Sequence, residues 1–141
     1  MSKRNYNMSD FNLSYYTSKN EKDKRFGCIY AGMLQSEAFK RLSHNARLLL
    51  ITSIVHHSTT KNYNTLRKYC KLNDIDYDMF WKRGMFILSA SQLADYGIDS
   101  THIARHWREL IDKGFVVCQY NNRHRKTYNI YQFSNKWRDI N

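Results

Sequence analysis

The chain contains no proline, and its five glycines (Gly27, Gly32, Gly84, Gly97 and Gly114) are scattered along 141 residues. Glycines so far apart cannot assemble a Gly-rich phosphate loop. Cysteine is equally sparse: Cys28, Cys70 and Cys118 have no CxxC partner, which argues against a zinc centre or disulfide framework and predicts buried small hydrophobes. Long apolar runs are missing too. The best, Leu48 to Val55, is flanked by Arg47 and His56 and is far shorter than a bilayer crossing. Mean hydropathy is -0.74, and Met1 to Asp10 lack the apolar core of a secretory signal. A cytoplasmic protein without a membrane partner is expected.

Catalytic patterns are absent as well. There is no GxSxG and no convincing pair of carboxylates, so an enzyme is not expected, and no cofactor is implied. His102 and His106 stand at i and i+4, but Ile103 occupies the position of the glutamate in HExxH and no third ligand is evident. The run Asp74-Ile75-Asp76-Tyr77-Asp78 starts like a calcium loop, yet Met79 and Met85 replace its glycine and glutamate. An acid-rich helix start explains the run better. His56 and His57, at the end of an expected helix, are read as complements to its dipole.

Acid is in deficit: 23 Lys+Arg face 12 Asp+Glu, a net charge of +11. A basic cytosolic domain most often meets nucleic acid. Eleven tyrosines and no proline argue for a regular folded core rather than a disordered basic tail.

Residues 1–25, rich in Ser, Asn, Lys and Tyr, read as a flexible basic arm, and 26–141 as a single domain. Phe26 to Tyr30 suggests a strand or extended lead-in. Ser36 caps a short helix through Leu42, and Ser43 caps a stronger one, Asn45 to His57. In that helix Ala46, Leu49, Leu50, Ser53, Ile54 and His57 fall at helical spacing, with Leu48, Ile51 and Val55 widening the apolar face. Residues 58–85 are poorly periodic. One helix is expected over Thr65 to Lys71. Another, capped by Asn73 or Asp74, would carry Met79, Phe80 and Trp81 inward. Met85 to Leu88 reads as a strand, Ser91 to Gly97 as a helix, and Asp99 or Ser100 as the cap of a helix through Lys113. Two β-rich runs, Phe115 to Tyr120 and Thr127 to Phe133, follow.

Helix, turn, helix and basic-tipped hairpin, in that order, predict an α+β, mainly α fold: a winged helix-turn-helix. Its helix-turn-helix covers 89–113 and its wing 115–133, with the N-terminal helices packed beneath. In the second helix Ile103, Trp107, Leu110 and Ile111 share one sector and are expected to pack on Leu93 and Ala94. Ser100, Thr101, Ala104, Arg105 and Arg108 are then the DNA-reading candidates, because arginine can grip guanine in a bidentate way and alanine permits close approach. At the hairpin tip Arg123, His124, Arg125 and Lys126 are the phosphate-contacting candidates. From Thr101 onward there are eight Lys+Arg against three Asp+Glu, so positive charge collects where this reading puts DNA.

The segment Ser91-Gln92-Leu93-Ala94-Asp95-Tyr96-Gly97-Ile98-Asp99-Ser100-Thr101-His102-Ile103 resembles the helix-turn-helix pattern of bacterial DNA-binding proteins. With Met33 to Leu50, Arg108 to Val116 and Tyr128 to Trp137, the resemblance extends to small winged-helix proteins of phages, plasmids and integrative elements, replication-initiator-like in kind. It spans about residues 26 to 137. The resemblance implies a regulator of replication or transcription on a mobile element that binds double-stranded DNA. Residues 58–85 depart from the family, and the second winged-helix domain of a full initiator has no room here. Two readings stand beside this one: a protein-interaction module in a replication or partition complex, and an RNA-binding or ribosome-associated protein. A homodimer would suit paired half-sites, although no heptad marks a dimer helix.

Overall fold

The computed structural model describes residues 27–59, 64–120 and 129–140. The expected arm, 1–25, and the hairpin-tip candidates Arg123, His124, Arg125 and Lys126 lie outside the described residues. Within them the fold is α+β and mainly helical. The helices are α1 (Ala31–Leu34), α2 (Glu37–Lys40), α3 (His44–Thr59), α4 (Asn64–Leu72), α5 (Tyr77–Lys82), α6 (Ala90–Asp95) and α7 (Ile103–Asp112). The strands are β1 (Met85–Phe86), β2 (Val116–Tyr120) and β3 (Ile130–Phe133), followed by a 3-10 turn at Lys136–Asp139. Residues 27–30 are not part of a strand.

Capping chemistry sets the helix starts. Ser36 accepts from the backbone N–H of Phe39, Ser43 from that of Ala46, and Ser89 from that of Gln92. Gln92 returns the bond to the Ser89 N–H, which completes a capping box and starts α6 one residue earlier than expected. Asp76, rather than Asn73 or Asp74, caps α5. Asp74 has a different role. It takes a positive φ of 55° just past α4, where the Ile75 N–H closes on the Cys70 carbonyl at 2.8 Å, the αL ending that glycine usually supplies.

The three strands form one antiparallel sheet in the order β1-β3-β2. Phe86 pairs with Tyr131, Val117 with Gln132 and Cys118 with Tyr131, and the β2–β3 register shifts before Tyr120. Because a strand turns successive side chains to opposite faces, the sheet serves two cores. Phe86, Leu88 and Tyr131 enter the main core with Leu49, Leu50, Leu93, Trp107, Leu110, Phe115 and Val116. Ile87 and Ile130 enter a second core with Cys70 and Phe80, flanked by Leu66, Tyr69, Ile75, Tyr77 and Met85. Residues 64–82 therefore fold as a helical pair that covers the second face of the sheet.

Aromatic rings tie the main core together. Trp107 stacks on Tyr131 at 4.0 Å between centroids, Phe86 on Phe133 at 4.6 Å, and Phe115 on Trp137 at 5.7 Å. The chain passes from α7 into β2 through Gly114, whose φ is 78°. A Cβ there would sit 2.6 Å from the Trp137 backbone nitrogen, so only glycine fits this crossing.

Several side chains depart from their expected places. Cys28 and Cys118 are exposed, and only Cys70 is buried. Leu48 is 47% exposed because the buried stripe of α3 runs through Ala46, Leu49, Leu50, Ser53 and His56, leaving Leu48 on its flank. Met79 is exposed while Phe80 fills the second core.

His56 and His57 are structural rather than dipole partners. Nε2 of His56 donates to the Ile87 carbonyl at 3.1 Å, and Nδ1 lies 3.3 Å from the Tyr96 hydroxyl. His57 stacks on Trp81 at 5.1 Å. Its Nε2 donates to the Trp81 carbonyl, and the Trp81 indole donates back to the His57 carbonyl. Burial lowers the pKa of both imidazoles, against the opposing effect of these carbonyl bonds.

Candidate functional site

The site grows from how α7 is held. Ile103, Trp107 and Leu110 turn inward on Leu93 and the sheet, with Trp107 and Leu110 buried and Ile103 packed partly against them. Two expected core members do not join them. Ile111 is 37% exposed, since at about 100° per residue it stands at the rim of that sector. Ala94 is exposed on α6, where the inward position is taken by Leu93.

One flank of α7 is bound to the start of α3. Glu109 accepts from the Ser43 hydroxyl at 2.6 Å and the Ser43 N–H at 3.2 Å, and His106 Nδ1 lies 3.5 Å away. Partial burial pushes the Glu109 carboxyl up, but the bonds from Ser43 and the contact with His106 outweigh it, so its pKa falls below the usual value. His106 is thereby turned towards Glu109, whereas the exposed His102 occupies the N-cap position.

The other flank of α7 faces the root of the β2–β3 hairpin across a cleft of about 310 Å3. Trp107 and Tyr131 form its floor, Ala104 its lip, and Ser89, Ser100 and Asn129 its polar lining. Burial raises the Tyr131 phenol's pKa, and the neighbouring Asn129 side chain opposes that rise. A larger hollow of about 820 Å3, between residues 28–37, α3 and the 3-10 turn, shares no lining residue with this cleft and includes none of the sequence-derived candidates.

Between the flanks, Ala104, Arg105 and Arg108 are exposed, with the two arginines roughly 60° apart around the helix. Among the described residues neither guanidinium has a hydrogen-bond or ion-pair partner. Asp112 shares this exposed strip and tempers its charge.

Ser100 and Thr101 are exposed but do not belong to the helix, which begins at Ile103. The reason is local. The Asp99 carboxylate accepts from both the hydroxyl and the N–H of Thr101, at 2.6 and 2.9 Å, closing a side-chain turn that delays helix entry. These bonds, the hydroxyl's first, lower the Asp99 pKa. The Thr101 hydroxyl is therefore already engaged, and Ser100 moves from the expected helix face to the edge of the cleft.

Sequence reasoning missed the Ser43–Glu109 link and the part played by Asn129. Glu109 stands three residues after His106, a spacing that marks neighbours on one helix face, but its partner on α3 is visible only in three dimensions. Compared with family models, curated proteins and solved structures, the chain matches none of them. Among the described residues no helix is long and apolar enough to cross a membrane.

Proposed function

We propose that this chain binds duplex DNA as a winged helix-turn-helix, with α6 and α7 as the helix pair and β2–β3 as the wing. The observation that carries the reading is a pair of arginines, Arg105 and Arg108, without partners among the described residues. They stand beside Ala104 on an exposed face of α7. Arginine that serves stability is usually paired or lies across a neighbour, as Arg47 lies over the Phe39 ring at 5.2 Å. Two such guanidiniums beside a small residue suit entry into a major groove and bidentate contact with guanine. The order of elements, the sheet order β1-β3-β2 and the net charge of +11 support the same reading. Arg123, His124, Arg125 and Lys126 are proposed as phosphate contacts on charge and chain position. The role as a regulator of replication or transcription on a mobile element rests on the sequence resemblance.

Gel shifts on duplex DNA, single strands and structured RNA across a salt series test this. Duplex binding that weakens steeply with salt is the expected result. On a site recovered by genome-fragment pulldown, Arg105→Ala should cost about 1–3 kcal/mol, with a much smaller loss on random duplex. An equal loss on both would remove Arg105 from base reading, and preference for RNA or single strands would overturn the proposal.

A further inference from the structure

We infer that the cleft between α7 and the root of the β2–β3 hairpin seats one sugar-phosphate of the DNA backbone and grips it without charge. This seat rests on the duplex-DNA reading and adds to it a contact of a different kind from the arginines.

The major and minor grooves of a duplex are separated by a single sugar-phosphate strand. A helix in one groove and a hairpin at the next straddle that strand, so the surface between them faces it. Here that surface is the cleft, bounded by Ser100 and Ala104 on one side and Asn129 on the other.

The chemistry of the lining agrees with that placement. None of the described residues lining the cleft is charged. No carboxylate among them repels a phosphate, and no lysine or arginine attracts one. The lining supplies uncharged donors and small side chains beside the apolar Leu88, Leu93, Ile103, Trp107 and Tyr131. Ala90 and Ala104 allow close approach and offer apolar contact to a deoxyribose. The Ser100 hydroxyl has no hydrogen-bond partner among the described residues. The Asn129 amide stands beside the Tyr131 hydroxyl, whose pKa it draws down against the larger upward push of burial, on a ring fixed by stacking with Trp107. Serine and asparagine are ordinary donors to phosphate oxygens. Ser89 contributes less, because its hydroxyl already accepts from the Gln92 N–H and lies 3.1 Å from Ser91 Oγ.

An uncharged grip leaves a distinct signature. The salt dependence of binding counts the phosphates neutralised by cations. Losing a hydroxyl contact should therefore weaken binding without changing that slope. Neither a base contact nor a cationic one behaves this way across unrelated sequences.

The test titrates the full chain against two unrelated mixed-sequence duplexes by fluorescence anisotropy over a salt series, with thermal melts to confirm folding. Ser100→Ala should weaken binding about ten-fold, the value of one hydrogen bond from a hydroxyl to an ionised phosphate, equally on both duplexes and with an unchanged slope. Ser100→Arg should steepen the slope by about 0.9 by adding a cation at the same phosphate. Unchanged affinity for Ser100→Ala, a loss on only one duplex, or an unchanged slope for Ser100→Arg would each overturn the seat while leaving duplex binding in place. Failure of the unaltered chain to bind either duplex would overturn the DNA reading itself, and the seat with it.

Discussion

The two cores of this protein differ in how far along the chain they recruit. The main core draws on α2, α3, β1, α6, α7, β2 and β3 and is held by stacked rings. The second core is nearly local: Leu66, Tyr69, Cys70, Ile75, Tyr77, Phe80, Met85 and Ile87 are close in sequence, and only Ile130 arrives from the far end. The difference suggests that the first core carries global stability, while the α4–α5 pair opens more easily as a unit.

The largest expected effect contrasts the two directly. Trp107→Ala should destabilise the whole domain by about 3–5 kcal/mol and, with it, abolish the proposed DNA binding through unfolding. Phe80→Ala removes an equally buried ring from the second core but should speed hydrogen exchange mainly over residues 64–82, leaving protection in α3 and α7. A global loss of protection for Phe80→Ala would erase the distinction. Next comes Gly114→Ala, which combines a positive φ with a clash on the Trp137 backbone. It should cost about 3 kcal/mol in a denaturant titration. A cost below half of that would show that the crossing from α7 to β2 gives way easily.

The joint between the two regions is titratable. His57 ties α3 to α5, and His56 ties α3 to the residues just past β1 and α6, Ile87 and Tyr96. Both fold with pKa values below the ordinary 6.5. The unfolded chain therefore binds protons that the folded chain refuses as pH drops below 6.5. Stability should be fully present above that value and fall as pH descends from there towards the lower pKa values of the folded imidazoles. Thermal melts between neutral and mildly acidic pH check this, and His57→Gln should flatten the dependence. A flat profile in the unaltered chain would mean that the imidazoles accept protons in place.

The smallest expected effect lies in the second region. Asp74→Gly relieves a left-handed residue at the end of α4 and should stabilise by about 0.5 kcal/mol, raising protection in residues 64–72 more than elsewhere. A loss of stability would mean that the Asp74 side chain contributes more than its backbone costs.

The regions also differ in how readily sequence reveals them. Helix α3 shows through its Ser43 cap and its apolar content, although apolar residues lie all round it, and the α6–α7 pair and the strands show through the Ser89 cap, Gly97 and Gly114, and apolar spacing. The 58–85 stretch hides its elements. Its inward residues include Tyr69, Cys70, Tyr77 and Met85, which carry weaker apolar signals than Leu66, Ile75 and Phe80 among them, and its helices are short. One of them ends at an aspartate where a glycine would have marked the boundary. At the candidate site, Ala104, Arg105 and Arg108 are legible because they oppose a clear apolar sector. Ser100 and Thr101 are not, because Asp99 closes a turn instead of capping the helix directly. The roles of His56 and His57 depend on carbonyls of residues 81 and 87, which local sequence does not reveal.

Ile130 and Tyr131 are consecutive residues of β3 that point into opposite cores. In kinetic terms β3 is where assembly must finish. Neither hydrophobic cluster closes until this strand returns from far along the chain to pair with β1 and β2, and long-range pairing is slow. The α4–α5 pair can collapse early on local contacts, but it keeps an open wall until Ile130 arrives. Shortening that side chain in Ile130→Val should therefore speed unfolding more than it slows folding, the pattern of a contact made after the barrier has been crossed.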